Sequence, residues 1–160
     1  MQMHEDLRPP VPPFTEETAA KKVRTAENAW NTRDPDWVST FFTPDTRWRT
    51  RGGVVVGRDA IMDVLAEKWA HELDFRLVQE LWTHRVARIS VRCVYELRDP
   101  DGNWFRCHGN ENWEFDRYGL LSSWAASADA VPIEADDRLF LWEAPRPRQP
   151  DHPGLTELGL

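Results

Sequence analysis

The chain has no apolar run near the roughly 20 residues that a membrane-spanning helix needs, and its acidic first residues do not read as a signal peptide. It has only two cysteines, Cys93 and Cys107. They lack metal-site spacing and make no disulfide framework, so a reducing cytoplasm is the expected setting. Basic residues are in deficit: 20 Lys and Arg against 27 Asp and Glu leave a net charge of −7. That balance argues against binding a phosphate backbone and mildly favours cationic or neutral small ligands. No repeat and no zinc, nucleotide or nucleophile-elbow pattern is present. Nucleic acid, a membrane, a metal or an organic cofactor is therefore not expected as a partner.

What is abundant is tryptophan, nine residues in 160. Trp stabilises cores, but its N–H wants a partner, and its face stacks on rings and cations. With 41% apolar and 29% charged residues, the length suits one globular domain. Residues 1–14, with R-P-P-V-P-P, read as an extended arm. Thr15 is a good N-cap before Glu16 and Glu17, and Val23, Ala26 and Trp30 recur at helical spacing, for about 17 residues. Asp34-Pro35 restarts a short helix that Thr43-Pro44 ends. Asp45–Val56 reads as a strand or hairpin turning at Gly52-Gly53. Gly57-Arg58-Asp59 opens a third helix, with Ile61, Leu65, Lys68 and Trp69 on one stripe. Strands follow near Phe75–Thr83, Arg88–Arg98, Trp104–Asp116 and Leu120–Asp129. Residues 136–160 form a Pro-rich tail expected to be irregular, with Phe140, Leu141 and Trp142 to anchor it to the body or to a second subunit.

The most informative stretch is C-H-G-N-E-N-W-E-F, Cys107–Phe115. Alternation puts Glu111 on the same face as Trp113 and Phe115, and a carboxylate among aromatics costs free energy unless it is paired or has a task. Gly102 suits the left-handed position of a three-residue turn that pairs Asp99 with Asn103. Glu111 then faces Val91, Trp113 faces Ile89 and Cys107 faces Tyr95, which brings two apolar faces together. A similar turn at Arg117-Tyr118-Gly119 pairs Glu111 with Ala125, Gly109 with Ser127 and Cys107 with Asp129. Small residues then surround Glu111 and leave room for a ligand. A two-residue turn at Val86-Ala87 sets Glu80 against Cys93 and Trp82 against Val91, on the same concave face. Cys93 and Cys107 come out diagonal, too far apart for easy bridging. His108 falls on the opposite face. Trp104, Asn110, Asn112 and Trp124 share that face, which is aromatic enough to be a homodimer surface.

A-E-N-A-W-N-T-R-D (Ala26–Asp34), the Asp45 to Trp48 step, G-R-D-A-I (Gly57–Ile61) and G-N-E-N-W-E-F-D (Gly109–Asp116) resemble the nuclear transport factor 2-like superfamily over residues 15–135. G-N-E-N-W-E-F and the ending D-H-P-G-L-T-E-L-G-L are similar to a narrower bacterial branch. The resemblance implies an α+β domain, three N-terminal helices packed on a curved antiparallel sheet that forms a cone with a pocket. It also implies polyketide cyclase, steroid isomerase, dehydratase or epoxide hydrolase chemistry at a pocket acid, or plain binding. The His-His pattern of the dehydratases is not visible.

Glu111 is thus the expected general acid/base, with Glu80 and Asp129 as further pocket acids and Trp30, Trp48, Trp69, Trp82, Tyr95 and Trp113 as ligand-stacking walls. Arg47, Arg49 and Arg51 read as a solvated or ion-paired strand face. Three acids with Trp suit a planar cation such as a guanidino-aldehyde, undergoing cyclisation with loss of water, or isomerisation. A ligand-binding module and a dimeric assembly module are the alternatives.

Overall fold

The computed structural model describes residues 7–160, so the first six residues of the expected arm lie outside the described part. Helix α1 (Glu16–Asn31) starts at a reciprocal cap: the Thr18 N–H donates to Thr15 Oγ1 at 3.1 Å, and the Thr15 N–H donates to Thr18 Oγ1 at 2.8 Å. Asp34 caps α2 (Pro35–Ser39) by accepting from the Asp36 and Trp37 N–H groups. Helix α2 ends at Ser39, before the expected stop at Thr43-Pro44, and those two residues already lie in β1 (Phe42–Thr50), which turns into β2 (Gly53–Val56). Helix α3 (Arg58–His71) follows, burying Ile61 and Leu65. Four long strands come next: β3 (Leu73–Arg85), β4 (Arg88–Arg98), β5 (Trp104–Phe115) and β6 (Leu121–Ile133).

The six strands form one sheet in the order β2-β1-β6-β5-β4-β3. It is mixed, not antiparallel throughout, because β1 and β6 run parallel. Hairpin turns force reversal on the other four pairings, whereas β1 and β6 are joined through most of the chain and no turn fixes their direction. The β4–β5 register is the one the Gly102 turn predicts, with Glu111 opposite Val91 and Trp113 opposite Ile89.

Two β-bulges change the other registers. The Val86-Ala87 turn pairs Arg85 with Arg88, but Trp82 is then unpaired between Leu81↔Val91 and Thr83↔Ser90. Ser122 is likewise skipped between Phe115↔Leu121 and Glu114↔Ser123. One extra residue turns every later side chain to the other face. Glu80 therefore lies opposite Arg92, and Glu111 lies opposite Ala126 rather than Ala125. Asp129 pairs with His108 on the outer face, and Trp124, expected outside, points into the core. There Trp124 stacks on Trp48 at 5.3 Å between ring centroids and leans on Phe42 at 5.0 Å.

The tail contains a 3-10 turn (Ala135–Asp137) and ends on a helical turn, α4 (Leu155–Leu158), so it is not irregular throughout. It crosses the outer face of β3 and β4, where Phe140, Trp142 and Leu155 bury Val78 and Val94. Glu96, 1% exposed, fastens it: the carboxylate accepts from Arg106 and from the Leu139 and Phe140 N–H groups. Arg148 reaches further, to Glu27 of α1. The part of the outer face over β3 and β4 is thus covered by the chain's own tail. Among the described residues no helix is long and apolar enough to cross a membrane.

Candidate active site

Glu111 projects from the middle of β5 between two cavities and lines both. The larger has a volume of about 240 Å³ and is walled by Trp30, Trp48, Lys68, Phe75, Gln79 and Tyr95, among others. The narrower, of about 40 Å³, lies among Lys22, Ala26, Trp30, Phe42 and Trp113. A volume of 40 Å³ suits a few water molecules; one of 240 Å³ approaches the size of small-molecule sites. Glu111 is deep in the protein, yet half-buried rather than sealed, because its free surface opens into these spaces.

The electrostatics follow from that position. Burial pushes the Glu111 carboxyl above the usual carboxylate range; the Trp113 indole N–H, 2.9 Å from Oε1, and the Lys68 ammonium partly oppose the shift. Cys93 Sγ lies 4.0 Å from Oε2, and burial pushes that thiol up as well. Burial also raises the Tyr95 hydroxyl, with Cys107 beside it. The Cys107 thiol is pushed up to about 11, again by burial. Both cysteines are free and buried. The site therefore holds weak acids that keep their protons more firmly than in water.

The tryptophans fall into two groups. Trp30 lines both cavities and meets Trp48 and Trp69 edge-on, at 6.3 and 5.5 Å. Trp48 and Tyr95 line the larger space, Trp113 the narrower, and Trp69 stands behind, against Phe75. Trp82 is 70% exposed and outside both cavities. Its bulge is the reason, and it removes Glu80 too: that carboxylate pairs with Arg92 at 2.8 Å and accepts from Thr156 Oγ1 at 2.5 Å, on the outer face. The Asp129 side chain is 81% exposed and faces Arg51 at 3.6 Å. Of the three acids expected to share one pocket, Glu111 alone is in it.

Sequence reasoning missed Gln79 and Lys68. Gln79, 7% exposed, takes the wall position given to Glu80; its N–H donates to Glu27, and among the described residues its Oε1 has no hydrogen-bond partner. Lys68 comes from α3 with its side chain 16% exposed. Its ammonium donates to both Glu72 oxygens, at 2.8 and 2.6 Å, and lies over the Tyr95 and Phe75 rings. The signal was present: a cation on the apolar stripe Ile61, Leu65, Lys68, Trp69. Among the described residues no group of His, Cys, Asp and Glu is gathered as a metal site.

Gly109, two residues before Glu111, sets the spacing of the wall. A Cβ there would sit 2.5 Å from the Ser127 carbonyl oxygen and 3.2 Å from Cys93 Sγ. Backbone cannot yield as a side-chain tip can, so Gly109→Ala is expected to cost about 1–3 kcal/mol by forcing β5 from β6. A chemical denaturation midpoint equal to wild type would refute this close approach.

A curved six-stranded sheet with helices laid against it gives the chain a nuclear transport factor 2-like fold. The chain belongs to the family described as "Protein of unknown function (DUF1348)", whose model matches residues 12–141. Solved structures agree on the fold. A nuclear transport factor 2-like protein of unknown function from Burkholderia pseudomallei is 21% identical, with a TM-score of 0.62 over 69% of this chain and 90% of that one. The epoxide hydrolase/cyclase-like enzyme SalBIII, of pyran ring formation in polyether salinomycin, is 16% identical, with 0.63 over 71% and 92%. The BvnE pinacolase from Penicillium brevicompactum is 14% identical, with 0.64 over 72% and 89%. A comparison with curated proteins finds no match.

Proposed function

We propose that the protein is a small-molecule enzyme in which Glu111 moves a proton, catalysing isomerisation or cyclisation with loss of water, without a metal or organic cofactor. The carrying observation is a carboxyl of raised pKa whose free surface opens into a ligand-sized, Trp-lined space. An acid that burial makes hold its proton more tightly is suited to protonating a departing hydroxyl, and its conjugate base to taking a proton from carbon. The cyclase-like and pinacolase activities named for two proteins of the same fold support the reading. A planar cation is less well served than three acids in one pocket would make it, because Glu80 pairs with Arg92 and Asp129 with Arg51 outside the cavity. Pairing of two copies is proposed only over β5 and β6, where Asn110, Asn112 and Ser127 are exposed; sedimentation of the full chain tests it.

The test of function is a mass-spectrometric screen against small aldehydes, guanidino-aldehydes among them, and hydroxylated heterocycles, with Glu111→Gln in parallel. A product made by wild type and not by the variant is the expected result. Ligands retained unchanged by both proteins would assign a binding module instead.

A further inference from the structure

The wall of the larger cavity carries two cations, Lys68 and Arg51, and Glu111 is its one acid among the described residues. Glu72, the partner of Lys68, is outside the lining. Among the described residues Glu72 is the only hydrogen-bond acceptor of the Lys68 ammonium, taking two of its three N–H groups. The ammonium rests on the faces of Tyr95 and Phe75, at 4.8 and 5.3 Å from the ring centroids, which fixes it beside the cavity rather than in solvent. Arg51 stands at the turn after β1, its side chain exposed and already paired with Asp129 at 3.6 Å, so Lys68 is the cation held in place at the wall. The remaining wall is flat and aromatic: Trp30, Trp48 and Phe75.

A cationic guest would be repelled by the Lys68 ammonium, which the Tyr95 and Phe75 rings hold beside the cavity and away from solvent. An anionic guest meets a fixed ammonium at Lys68. We infer that the larger cavity takes a small, flat carboxylate, its conjugated body among Trp30, Trp48 and Phe75 and its charge against Lys68. This rests on the reading of that cavity as the substrate site and names the substrate class, but it does not require turnover.

Three probes share one ring and differ in charge: benzoate, benzyl alcohol and benzamidinium. Titrated into the full chain at pH 7 and followed by Trp fluorescence and ligand-observed NMR, benzoate is expected to bind at least about ten-fold tighter than benzyl alcohol, with benzamidinium weakest. Lys68→Met should remove about ten-fold of the benzoate affinity. Glu72→Gln, which frees the ammonium from its competitor, should strengthen it, so the inference is tested even where Lys68→Met folds poorly. Trp82→Ala, outside the cavity, should change nothing. Tightest binding of benzamidinium, benzoate binding indifferent to both variants, or no binding of benzoate at millimolar concentration each overturns the inference. Benzoate binding is read on wild type and needs no product in the screen. Loss of the catalytic reading therefore leaves this result standing, and a Glu111-dependent product from a cationic aldehyde without benzoate binding removes this inference alone.

Discussion

Glu111→Gln is expected to abolish turnover, by about 10²–10⁴-fold, while leaving the fold as stable as wild type or more so. The two effects have one origin. In the folded chain the Glu111 carboxyl holds its proton more tightly than the ordinary value of 4.5, because ionising it means charging a group removed from water. As pH rises from that value through the raised folded one, the unfolded chain releases the proton and the folded chain keeps it. Folded protein then binds more protons than unfolded, so stability falls with pH across this window. Glutamine has no proton to lose and still accepts from the Trp113 N–H, so its stability should not show that fall. Thermal melts of both proteins from pH 4.5 to 8 measure the difference. A variant that still turns over, or one that shows the same fall as wild type, would end the role given to this carboxyl. Glu111→Ala is a poorer test, since it leaves the Trp113 N–H inside the protein without its acceptor.

Arg148→Met is expected to cost about 3–5 kcal/mol of stability, although Arg148 lies in a Pro-rich tail. Its guanidinium meets Glu27 with two bonds, Nε to Oε2 at 3.0 Å and Nη2 to Oε1 at 3.1 Å. Glu27 is 0% exposed, so the variant leaves an ion inside the protein with little compensation. Arg24 comes within 3.3 Å of the same carboxylate, but its side chain is 31% exposed and it also holds the Arg148 and Gln149 carbonyls. The double variant Glu27→Gln, Arg148→Met should recover most of the loss, because no unpaired charge then remains. Urea unfolding of the four proteins of this cycle separates the pair from its parts. A loss under about 1 kcal/mol for Arg148→Met would mean that Arg24 suffices. Glu27 also accepts the Gln79 N–H at 2.8 Å, so loosening it is felt in the cavity wall.

Local chemistry made much of the fold legible. Thr15 and Asp34-Pro35 announce their helices because capping is a short-range hydrogen-bond matter, and Gly102 announces the β4–β5 register because only that turn fits a glycine at positive φ. Glu111 could be placed inward for the same reason. The bulges were harder, since they arise from how a curved sheet packs, but they left traces. Leu81 and Trp82 are two apolar residues in succession, and Leu120-Leu121-Ser122-Ser123 doubles both kinds, where an unbroken strand would alternate. Passing over that doubling put Glu80, Trp82 and Asp129 in a cavity they do not enter and put Trp124 outside the core it fills. The tail carries no periodicity at all, and its attachment through Glu96, Arg76 and Glu27 depends on partners far away in sequence.

The parallel pairing of β1 with β6 governs when the cavity can exist. Phe42 waits for Leu121, and Trp48 waits for Trp124, so closing that seam brings together segments separated by most of the domain. The loop entropy of such a closure is met before any contact rewards it. The three hairpins from β3 to β6 are local and form early by comparison. A folding chain therefore has the strand that bears Glu111 before it has a closed cavity around it, and through that interval Trp48 lacks the Trp124 ring that stacks on it. Yield in recombinant expression should follow synthesis temperature and chaperone supply more closely than it follows the melting point of the finished protein.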